Sequence, residues 1–305
     1  MKRFAVLGAG AWGKTLASLI RRQGHPVKIW SRSGPLEIAE VLHDVEVVVS
    51  CLPIRAVGET VRQVAGVDLP AGTILVSTTK GLDSDTVSPA SACWQHYLPH
   101  HPMVVLSGPN LAAEVLRGLP AATVVAGTSE EATRQVQQCL ATEHFRVYTS
   151  SDLRGVELGG VLKNVIAIAA GVSDGLELGA NAKASLITRG LAEMIRVGTH
   201  WGGQMETFYG LSGLGDLLTT CNSTLSRNYQ IGYALGQGKT LALALNQLQG
   251  TAEGVYTTPV LVGYAQRVGL EVPIADQVCA LLNGERPPVE ALMALMSRRL
   301  REESH

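Results

Sequence analysis

Charged residues are sparse in this chain of 305 residues: Asp, Glu, Lys and Arg together make up 17% of it, whereas apolar residues make up 46%. Disordered chains have the reverse composition, so we expect a folded protein with an ample core. The formal net charge is −1 and the basic residues are scattered, so we expect no nucleic-acid partner. The length allows one large domain or two of ordinary size.

Cysteines are also few: the chain has five, an odd number, and no two of them form a CxxC pair. This spacing excludes a zinc knuckle and a thioredoxin-type motif, and we predict no metal site. We predict instead that every cysteine is a small buried apolar residue in a reducing compartment, which applies to Cys51, Cys93, Cys139, Cys221 and Cys279.

Long apolar runs are missing as well. Residues 1–3, ahead of an apolar run at 4–7, imitate the start of a signal peptide, but Gly8 and Gly10 interrupt that run at once. We therefore expect no signal peptide. We also find no run of the ~18 apolar residues that a membrane helix requires. These observations predict a soluble, cytoplasmic protein without membrane insertion.

The first half of the chain alternates short β-branched or apolar runs with stretches of helical spacing at residues 15–23, 56–64 and 130–140. Apolar strands separated by helices predict a mostly parallel sheet that is covered on both faces. This is the doubly wound α/β arrangement of a Rossmann-type domain. The predicted strands lie at residues 4–7, 27–30, 45–51, 73–77, 103–106, 122–126 and 145–149.

Beyond about Ser151, strand signals almost vanish and long helical windows follow at residues 158–171, 182–198 and 257–268. We predict a loop rich in Gly, Ser and Thr at 210–226, a closing amphipathic helix at 289–300 and a fraying tail at 301–305. The chain thus divides into a dinucleotide-binding Rossmann domain, residues 1–152, and an all-helical substrate and catalytic domain, residues 153–305.

A glycine-rich turn, Gly8-Ala9-Gly10-Ala11-Trp12-Gly13, follows the first predicted strand and opens the first helix. Because a second strand completes a βαβ unit, the GxGxxG spacing predicts a dinucleotide site rather than a mere tight turn. Gly8 permits the turn, Gly10 lets a pyrophosphate approach, and Gly13 lets the helix pack closely on the strand.

The end of the second strand indicates which nucleotide binds. NAD sites carry Asp or Glu there for the ribose 2′-hydroxyl, whereas this chain has Ser31-Arg32-Ser33 and no acid before Glu37. A guanidinium makes charge-assisted bonds to a 2′-phosphate. We predict that NADP(H) is preferred and that NAD(H) can also be used. The alternative is that Arg32 is an ordinary solvated loop residue.

Three later segments place polar residues in apolar surroundings. Lys80 follows the fourth predicted strand, at the sheet edge where ligands bind; Lys163 stands in an almost wholly apolar helix; and Asp216 follows a Gly-Leu-Gly segment. Because an unpaired buried lysine is costly, we predict that Lys163 is functional. The alternatives are that Lys163 extends to the surface, that Lys80 lies in an ordinary surface turn and that Asp216 is a helix cap.

These residues lie within longer motifs. The chain resembles the bacterial-type NAD(P)-dependent glycerol-3-phosphate dehydrogenases almost end to end. The resemblance implies a Rossmann domain followed by a helical domain, usually in a homodimer, which interconverts dihydroxyacetone phosphate and sn-glycerol 3-phosphate and feeds glycerophospholipid synthesis. Residues 32–45 depart from the family pattern because this segment is abbreviated. The shared motifs read GAGAWGKTLA, STTKGL, SGPNLAAEV, ELGGVLKNVIAIAAGVSDGL, GLSGLGDLLTTC, SRNYQIG and TAEG.

The resemblance also implies roles for individual residues. The catalytic residues would be Lys163 as general acid/base, with Lys80 and Asp216, and Asn110 stands where the family usually has serine. The implied substrate-binding positions are Lys80, Gly108, Asn110, Lys163, Asp216, Ser226, Arg227 and Asn228. The implied cofactor-binding positions are Gly8, Gly10, Ala11, Trp12, Gly13, Arg32, Lys80, Ala112, Arg227, Thr251 and Glu253.

A lysine acid fits the chemistry, because ketone reduction leaves negative charge on oxygen and the sequence shows neither a zinc-ligand cluster nor a Ser-Tyr-x-x-x-Lys pattern. We predict that Lys163 protonates the carbonyl oxygen, that Lys80 polarises it and that Ser226-Arg227-Asn228 anchors the substrate phosphate, with Ser226 free to act as an N-cap as well. The alternatives are a related NADP-dependent reductase of another keto or hydroxyacid substrate, and a non-catalytic NADP sensor.

Overall fold

The structure is a computed structural model and describes residues 1–297. The predicted tail at 301–305 and the last part of the predicted closing helix lie outside the described residues. Inside them, a sheet-containing first half is followed by a helical second half.

Seven strands form one sheet, and each lies within two residues of its predicted bounds. The sheet order is β2-β1-β3-β4-β5-β6-β7, and every neighbouring pair is parallel except β5 and β6. The mostly parallel doubly wound prediction is confirmed. The strands are β1 (Phe4–Leu7), β2 (Val27–Trp30), β3 (Val47–Ser50), β4 (Ile74–Ser77), β5 (Met103–Ser107), β6 (Ala121–Gly127) and β7 (Phe145–Ser150).

Helices cover both faces of this sheet, and a separate apolar cluster lies on each face. The strands of the sheet interior are buried along their whole length because they alternate between the two clusters, as expected for a covered parallel sheet. The helices are α1 (Ala11–Arg22), α2 (Ile38–Leu42), α3 (Ile54–Ala65), α4 (Ala90–Tyr97), α5 (Ala112–Leu116) and α6 (Glu130–Leu140).

The second half is helical and is built around α7 (Leu153–Gly175), which is buried on nearly every side. By length and hydropathy α7 would qualify to cross a membrane, so the expectation that no stretch does was wrong. Its apolar window is 100% buried inside the protein, which is typical of a core helix. The other helices are α8 (Gly179–His200), α9 (Met205–Tyr209), α10 (Asp216–Cys221), α11 (Arg227–Gly236), α12 (Leu241–Gln247), α13 (Glu253–Val268), α14 (Pro273–Leu282) and α15 (Pro288–Met296).

Helices α7 and α11 pack with their backbones in direct contact. A Cβ atom added at Gly171 would lie 2.2 Å from the carbonyl oxygen of Tyr229, and one added at Gly232 would lie 1.9 Å from that of Ile168. Both distances are far below van der Waals contact, so the two backbones touch without intervening side chains. The rows of small residues on both helices make this contact possible.

The prediction of a loop at residues 210–226 was wrong. A π-helical turn, Leu211–Gly215, and α10 occupy most of it. A Cβ at Gly213 would lie 2.1 Å from the carbonyl oxygen of Phe208, and one at Gly159 of α7 would lie 2.6 Å from that of Ser212. Tight packing against α9 and α7 therefore imposes helical structure on a segment whose local composition favours a loop.

The cysteines are all free, but only two of the five match the burial prediction. Cys139 and Cys221 are buried, whereas Cys51, Cys93 and Cys279 are half-buried, so the prediction was wrong for these three. Each of these three nevertheless packs against an apolar cluster from its edge.

Candidate active site

Two lysines share one buried carboxylate at the carboxyl edge of the sheet. Asp216, the first residue of α10, accepts a hydrogen bond of 2.5 Å from Lys163 Nζ at Oδ1 and one of 2.6 Å from Lys80 Nζ at Oδ2. Lys80 follows β4, while Lys163 lies on α7, so the three residues come from separate segments of both halves. Each carboxylate oxygen thus binds its own ammonium.

Lys163 is held inside the protein. Its side chain is 8% exposed, and its ammonium donates a second hydrogen bond of 2.6 Å to Thr220 Oγ1. Burial lowers the pKa of Lys163 to about 8; the nearby Asp216 carboxylate opposes this fall and Lys80 adds to it. The alternative of a lysine that extends to the surface is therefore wrong.

Lys80 is fixed by a backbone feature that requires glycine. Its ammonium also donates to the carbonyl oxygen of Gly108 at 3.2 Å. Gly108 has φ +148°, and an added Cβ would lie 3.1 Å from the Cα of Thr123 on β6. The Lys80 side chain is 22% exposed and belongs to the buried cluster, not to an ordinary surface turn.

A chain of side-chain amides supports the Lys80 backbone. Gly254 N–H donates to Asn228 Oδ1 at 2.9 Å, Asn228 Nδ2 donates to Asn164 Oδ1 at 2.9 Å, and Asn164 Nδ2 donates to the Lys80 carbonyl oxygen at 3.1 Å. A backbone donor at one end and a backbone acceptor at the other fix the direction of both amides. The start of α13 is thereby connected to the turn that carries Lys80.

Asn110 and Ala112 lie beside Gly108 but make other contacts. Asn110 Nδ2 donates to the Ala122 carbonyl oxygen at 3.2 Å, and its Oδ1 accepts from Thr123 Oγ1 at 2.8 Å, so the Asn110 amide is bound to β6. Ala112 begins α5, and its carbonyl oxygen accepts from Thr15 of α1 at 3.3 Å. Neither side chain is hydrogen-bonded to the lysine pair.

The remaining predicted substrate residues lie at the start of α11. Ser226 is the N-cap, and its Oγ accepts from Tyr229 N–H at 3.2 Å. Arg227 is exposed, and its Nη1 donates to the carbonyl oxygen of Thr251 at 3.0 Å. Asn228 is buried and belongs to the amide chain described above.

Glu253, the first residue of α13, faces the Rossmann half. Its Oε2 accepts from Ile54 N–H, at the start of α3, at 3.4 Å. Burial raises the pKa of Glu253 to about 7, and this hydrogen bond and the nearby Arg227 and Arg55 oppose the rise. Thr251 and Glu253 therefore lie where the helical half meets the sheet edge after β3.

The glycine turn has the geometry of an anion site. Gly8 has φ +113°, and a Cβ at Gly13 would lie 2.0 Å from the Gly8 carbonyl oxygen. A Cβ at Gly10 would meet no atom of the described residues within 4 Å. Helix α1 starts with no side-chain cap and no acid in its first turn, so no side chain of that turn would compete with a bound anion for its N–H groups. Ala11 is exposed there, and Trp12 packs 6.5 Å from the Phe145 ring.

Arg32 lies apart from the lysine pair, after the edge strand β2, and is exposed. Ser31 and Gly34 close a turn around it through a 2.8 Å hydrogen bond. The first acid that follows, Glu37, forms a capping box with Glu40 at the start of α2. Its carboxylate is thus used by the helix backbone.

Known protein families match both the Rossmann half and the helical half of the chain. Residues 152–293 match the family described as NAD-dependent glycerol-3-phosphate dehydrogenase C-terminus, and residues 3–37 and 34–133 match the corresponding N-terminus. The chain belongs to the NAD-dependent glycerol-3-phosphate dehydrogenase family. It is therefore an NAD(P)-dependent oxidoreductase, and the alternative of a non-catalytic sensor is excluded.

Individual members of the glycerol-3-phosphate dehydrogenase family match over nearly the full length. A protein named glycerol-3-phosphate dehydrogenase, NAD(P)+, from Gloeobacter violaceus is 68% identical over 99% of both chains. One of the same name from Thermosynechococcus vestitus is 56% identical over 99% of this chain and 97% of its own. The crystal structure of glycerol-3-phosphate dehydrogenase from Coxiella burnetii superposes with a TM-score of 0.94 at 35% identity, covering 97% of this chain and 99% of that one.

Two residues of this dehydrogenase site were missed by the sequence reasoning. Thr220 binds the Lys163 ammonium, and its spacing of four residues from Asp216 on one helix face could have indicated it. Asn164 follows Lys163 in the sequence and supports the Lys80 backbone, but no sequence signal identifies its partners. In residues 1–297, no group of three or more His, Cys, Asp or Glu side chains could hold a metal ion.

Proposed function

We propose that this dehydrogenase reduces dihydroxyacetone phosphate reversibly to sn-glycerol 3-phosphate, prefers NADP(H) and can use NAD(H). The observation that carries the proposal is the pair of ammonium groups on the buried Asp216 carboxylate, at the same edge of the sheet as the glycine turn. In the direction of reduction, this product would supply glycerophospholipid synthesis. When bound, the nicotinamide cofactor supplies or accepts the hydride.

In this proposal Lys163 is the general acid and base. Its pKa of about 8 leaves the ammonium mostly protonated near neutral pH, yet allows it to lose the proton without a large cost. It donates that proton to the carbonyl oxygen during reduction and takes it back during oxidation. Asp216 holds the ammonium in line, and Lys80 supplies a second positive charge to the developing alkoxide.

The glycine turn and the start of α1 fit the pyrophosphate of a dinucleotide. Gly10 has open space where a side chain would stand, and the uncapped N–H groups of Ala11, Trp12 and Gly13 can bind phosphate oxygens. We propose that Lys80 and Ala112 of the Rossmann half, and Arg227, Thr251 and Glu253 of the helical half, contact the rest of the cofactor.

The preference for NADP(H) rests on the charges after β2. Arg32 is exposed and can form charge-assisted hydrogen bonds with a 2′-phosphate. Glu37, the first carboxylate in that segment, caps α2 and is occupied there. A ribose 2′-hydroxyl therefore finds no obvious acceptor, whereas a 2′-phosphate finds a cation.

For the substrate, we propose that the start of α11 anchors the phosphate. Arg227 is exposed and provides a guanidinium, while the N–H groups of the first turn add backbone donors. Ser226 and Asn228 shape this site through the cap and the amide chain. Gly108 and Asn110 would form the opposite wall, next to Lys80.

The proposal is tested by following NADPH and NADH oxidation with dihydroxyacetone phosphate. Lys163→Ala should retain NADPH binding and lose turnover by a factor of about 100 or more, as expected for a general acid. Lys183→Ala is the matched control, because Lys183 is also ion-paired, to Asp174 at 2.6 Å, but outside the site. Turnover of Lys163→Ala near that of the wild type would refute the mechanism, and an unchanged KM for the substrate in Arg227→Ala would refute the phosphate anchor.

We also propose a homodimer, as the family resemblance implies. From the composition and the pattern of the sequence, we propose a cytoplasmic protein without a nucleic-acid partner or membrane insertion, and a domain boundary between residues 152 and 153. The end of β7 at Ser150 and the start of α7 at Leu153 support this boundary. Light scattering after size-exclusion chromatography tests the dimer. Limited proteolysis that releases fragments ending near residue 152 would support the boundary, and cuts confined elsewhere would contradict it.

A further inference from the structure

A second buried carboxylate on α7 binds the Rossmann half directly. Glu157 lies on α7 and is 3% exposed. Its Oε1 accepts from Ser91 N–H at 2.9 Å, and its Oε2 accepts a very short hydrogen bond from Ser91 Oγ. Ser91 is the second residue of α4, so the contact joins the helical half to a helix that packs on the sheet.

This contact replaces a cap that α4 does not have. The residue before α4 is Pro89, which forms no side-chain cap, and the first turn of α4 contains no acid. Free N–H groups at a helix start are costly to bury without an acceptor. Glu157 therefore supplies to α4, from the other half of the protein, the acceptor that the local sequence lacks.

Glu157 acts on the part of α7 that carries the site. Three residues further on, a Cβ at Gly160 would lie 2.3 Å from Ser107 Oγ and 3.3 Å from the Cδ atom of Lys80. Lys163 follows three residues after Gly160, so that it lies about 9 Å from Glu157 along the helix axis. The depth at which α7 sits against the sheet thus sets the position of both lysines.

We propose that Glu157 is a positioning residue: by capping α4, it fixes α7 and the Lys163 ammonium in register with the nicotinamide that the Rossmann half holds. This inference rests on the proposed function of Lys163. The hydrogen bonds of Glu157 go to Ser91, so it would act through α7 and not by contact with the substrate or cofactor. Burial raises the pKa of Glu157 to about 7, while both Ser91 hydrogen bonds and the nearby Arg154 oppose the rise, so a neutral amide is a close substitute for its protonated form.

The protein contains a matched control. Glu193 on α8 is also buried, at 3% exposure, and also caps a helix: its two oxygens accept from Ile274 N–H and Ala275 N–H of α14, both at 2.9 Å. Both helices that Glu193 joins lie in the helical half. Glu193→Ala therefore removes a comparable cap without changing how α7 meets the sheet.

The experiment measures hydride transfer directly, as the loss of NADPH absorbance in a single turnover with dihydroxyacetone phosphate, together with the Kd for NADPH and the Tm. Glu157→Ala should slow this step about tenfold or more, because small misplacements of reacting groups are costly. The Kd for NADPH should stay at the wild-type value. Glu157→Gln should restore most of the rate, and Glu193→Ala should lower the Tm while leaving the rate unchanged.

Two results would overturn the inference: a wild-type rate in Glu157→Ala, or equal slowing in Glu157→Ala and Glu193→Ala, which would mean that the loss follows stability alone. If Glu157→Ala does not fold, Ser91→Ala decides, because it removes one of the two hydrogen bonds and should slow the same step by a smaller factor. If the wild-type enzyme reduces dihydroxyacetone phosphate but these variants do so at the same rate, the positioning role is refuted and the proposed function is not.

Discussion

The charge of Asp216 should set the pH at which this dehydrogenase reduces its substrate. Asp216→Asn keeps the shape of the side chain but removes the counter-charge that lies 2.5 Å from the Lys163 ammonium and 2.6 Å from that of Lys80. Lys163 would then remain buried and next to a second cation. Both effects favour its neutral form, which cannot protonate the carbonyl oxygen.

The size of the effect follows from the geometry. Even at a separation of about 4 Å, longer than the 2.5 Å between Lys163 Nζ and Asp216 Oδ1, opposite charges attract by about 4 kcal/mol at an effective dielectric constant of about 20. This energy is a factor of about 1,000 in proton affinity. In the wild type the pKa of Lys163 is about 8, so about nine-tenths of the protein is protonated at about pH 7. In Asp216→Asn the protonated fraction falls to about one hundredth, and reduction should slow about 90-fold.

The assay is the rate of reduction as a function of pH, from about pH 6 to about pH 9. Reduction requires protonated Lys163, so the wild-type rate should fall as pH rises through about 8, whereas Asp216→Asn should regain activity on acidification. Thr220→Val is the control, because it removes a neutral hydrogen bond of 2.6 Å to the same ammonium and leaves the carboxylate in place. A loss in Asp216→Asn that is equal at every pH would refute this reasoning.

In steady-state kinetics, Arg32→Ala should raise the KM for NADPH about tenfold or more, because a charge-assisted contact to the 2′-phosphate is lost. The KM for NADH should stay unchanged, and equal changes in the two KM values would contradict the preference for NADP(H). Gly108→Ala should lower the free energy of unfolding by about 1–3 kcal/mol, because a residue with a side chain is strained at φ +148°. It should also reduce kcat, because the Gly108 carbonyl oxygen, which accepts a hydrogen bond from Lys80, would move. An unchanged urea unfolding curve would be evidence against the strain. Burial raises the pKa of Glu193 from 4.5 to about 7, so its contribution to stability is fully present below about pH 4.5 and is lost, by up to about 3 kcal/mol, as pH rises through about 7. The Tm of Glu193→Gln should therefore fall less between about pH 6 and about pH 8.5 than that of the wild type, and equal slopes would contradict the assignment.

Much of the Rossmann half could be predicted from the sequence because its signals are local. Short β-branched runs give the strands, and the glycine spacing at Gly8, Gly10 and Gly13 follows from the turn that joins β1 to α1. The segment at 210–226 could not be predicted in the same way. Its helical structure depends on backbone contacts with α9 and α7, to which local composition gives no clue.

In the active site, too, local sequence signals indicate some residues, whereas other features depend on the tertiary structure. An isolated lysine in an apolar helix indicates that Lys163 is unusual, but its partners Asp216 and Thr220 lie 53 and 57 residues away along the chain. Likewise, the amide chain from Gly254 to Lys80 depends on how three helices are rotated about their axes. The bridge between Glu157 and Ser91 spans 66 residues and has no sequence motif. The sequence therefore indicates which side chains could react, whereas their hydrogen-bond partners are determined by the tertiary structure.

The bare contact between α7 and α11 has a mechanical consequence. Helices separated by side chains can slide by changing rotamers, but at Gly171 and Gly232 the main chains meet with nothing between them to rearrange. Lys163 on one helix and Arg227 on the other therefore travel together as a single solid block. A substrate that contacts both residues would therefore meet them at a fixed separation.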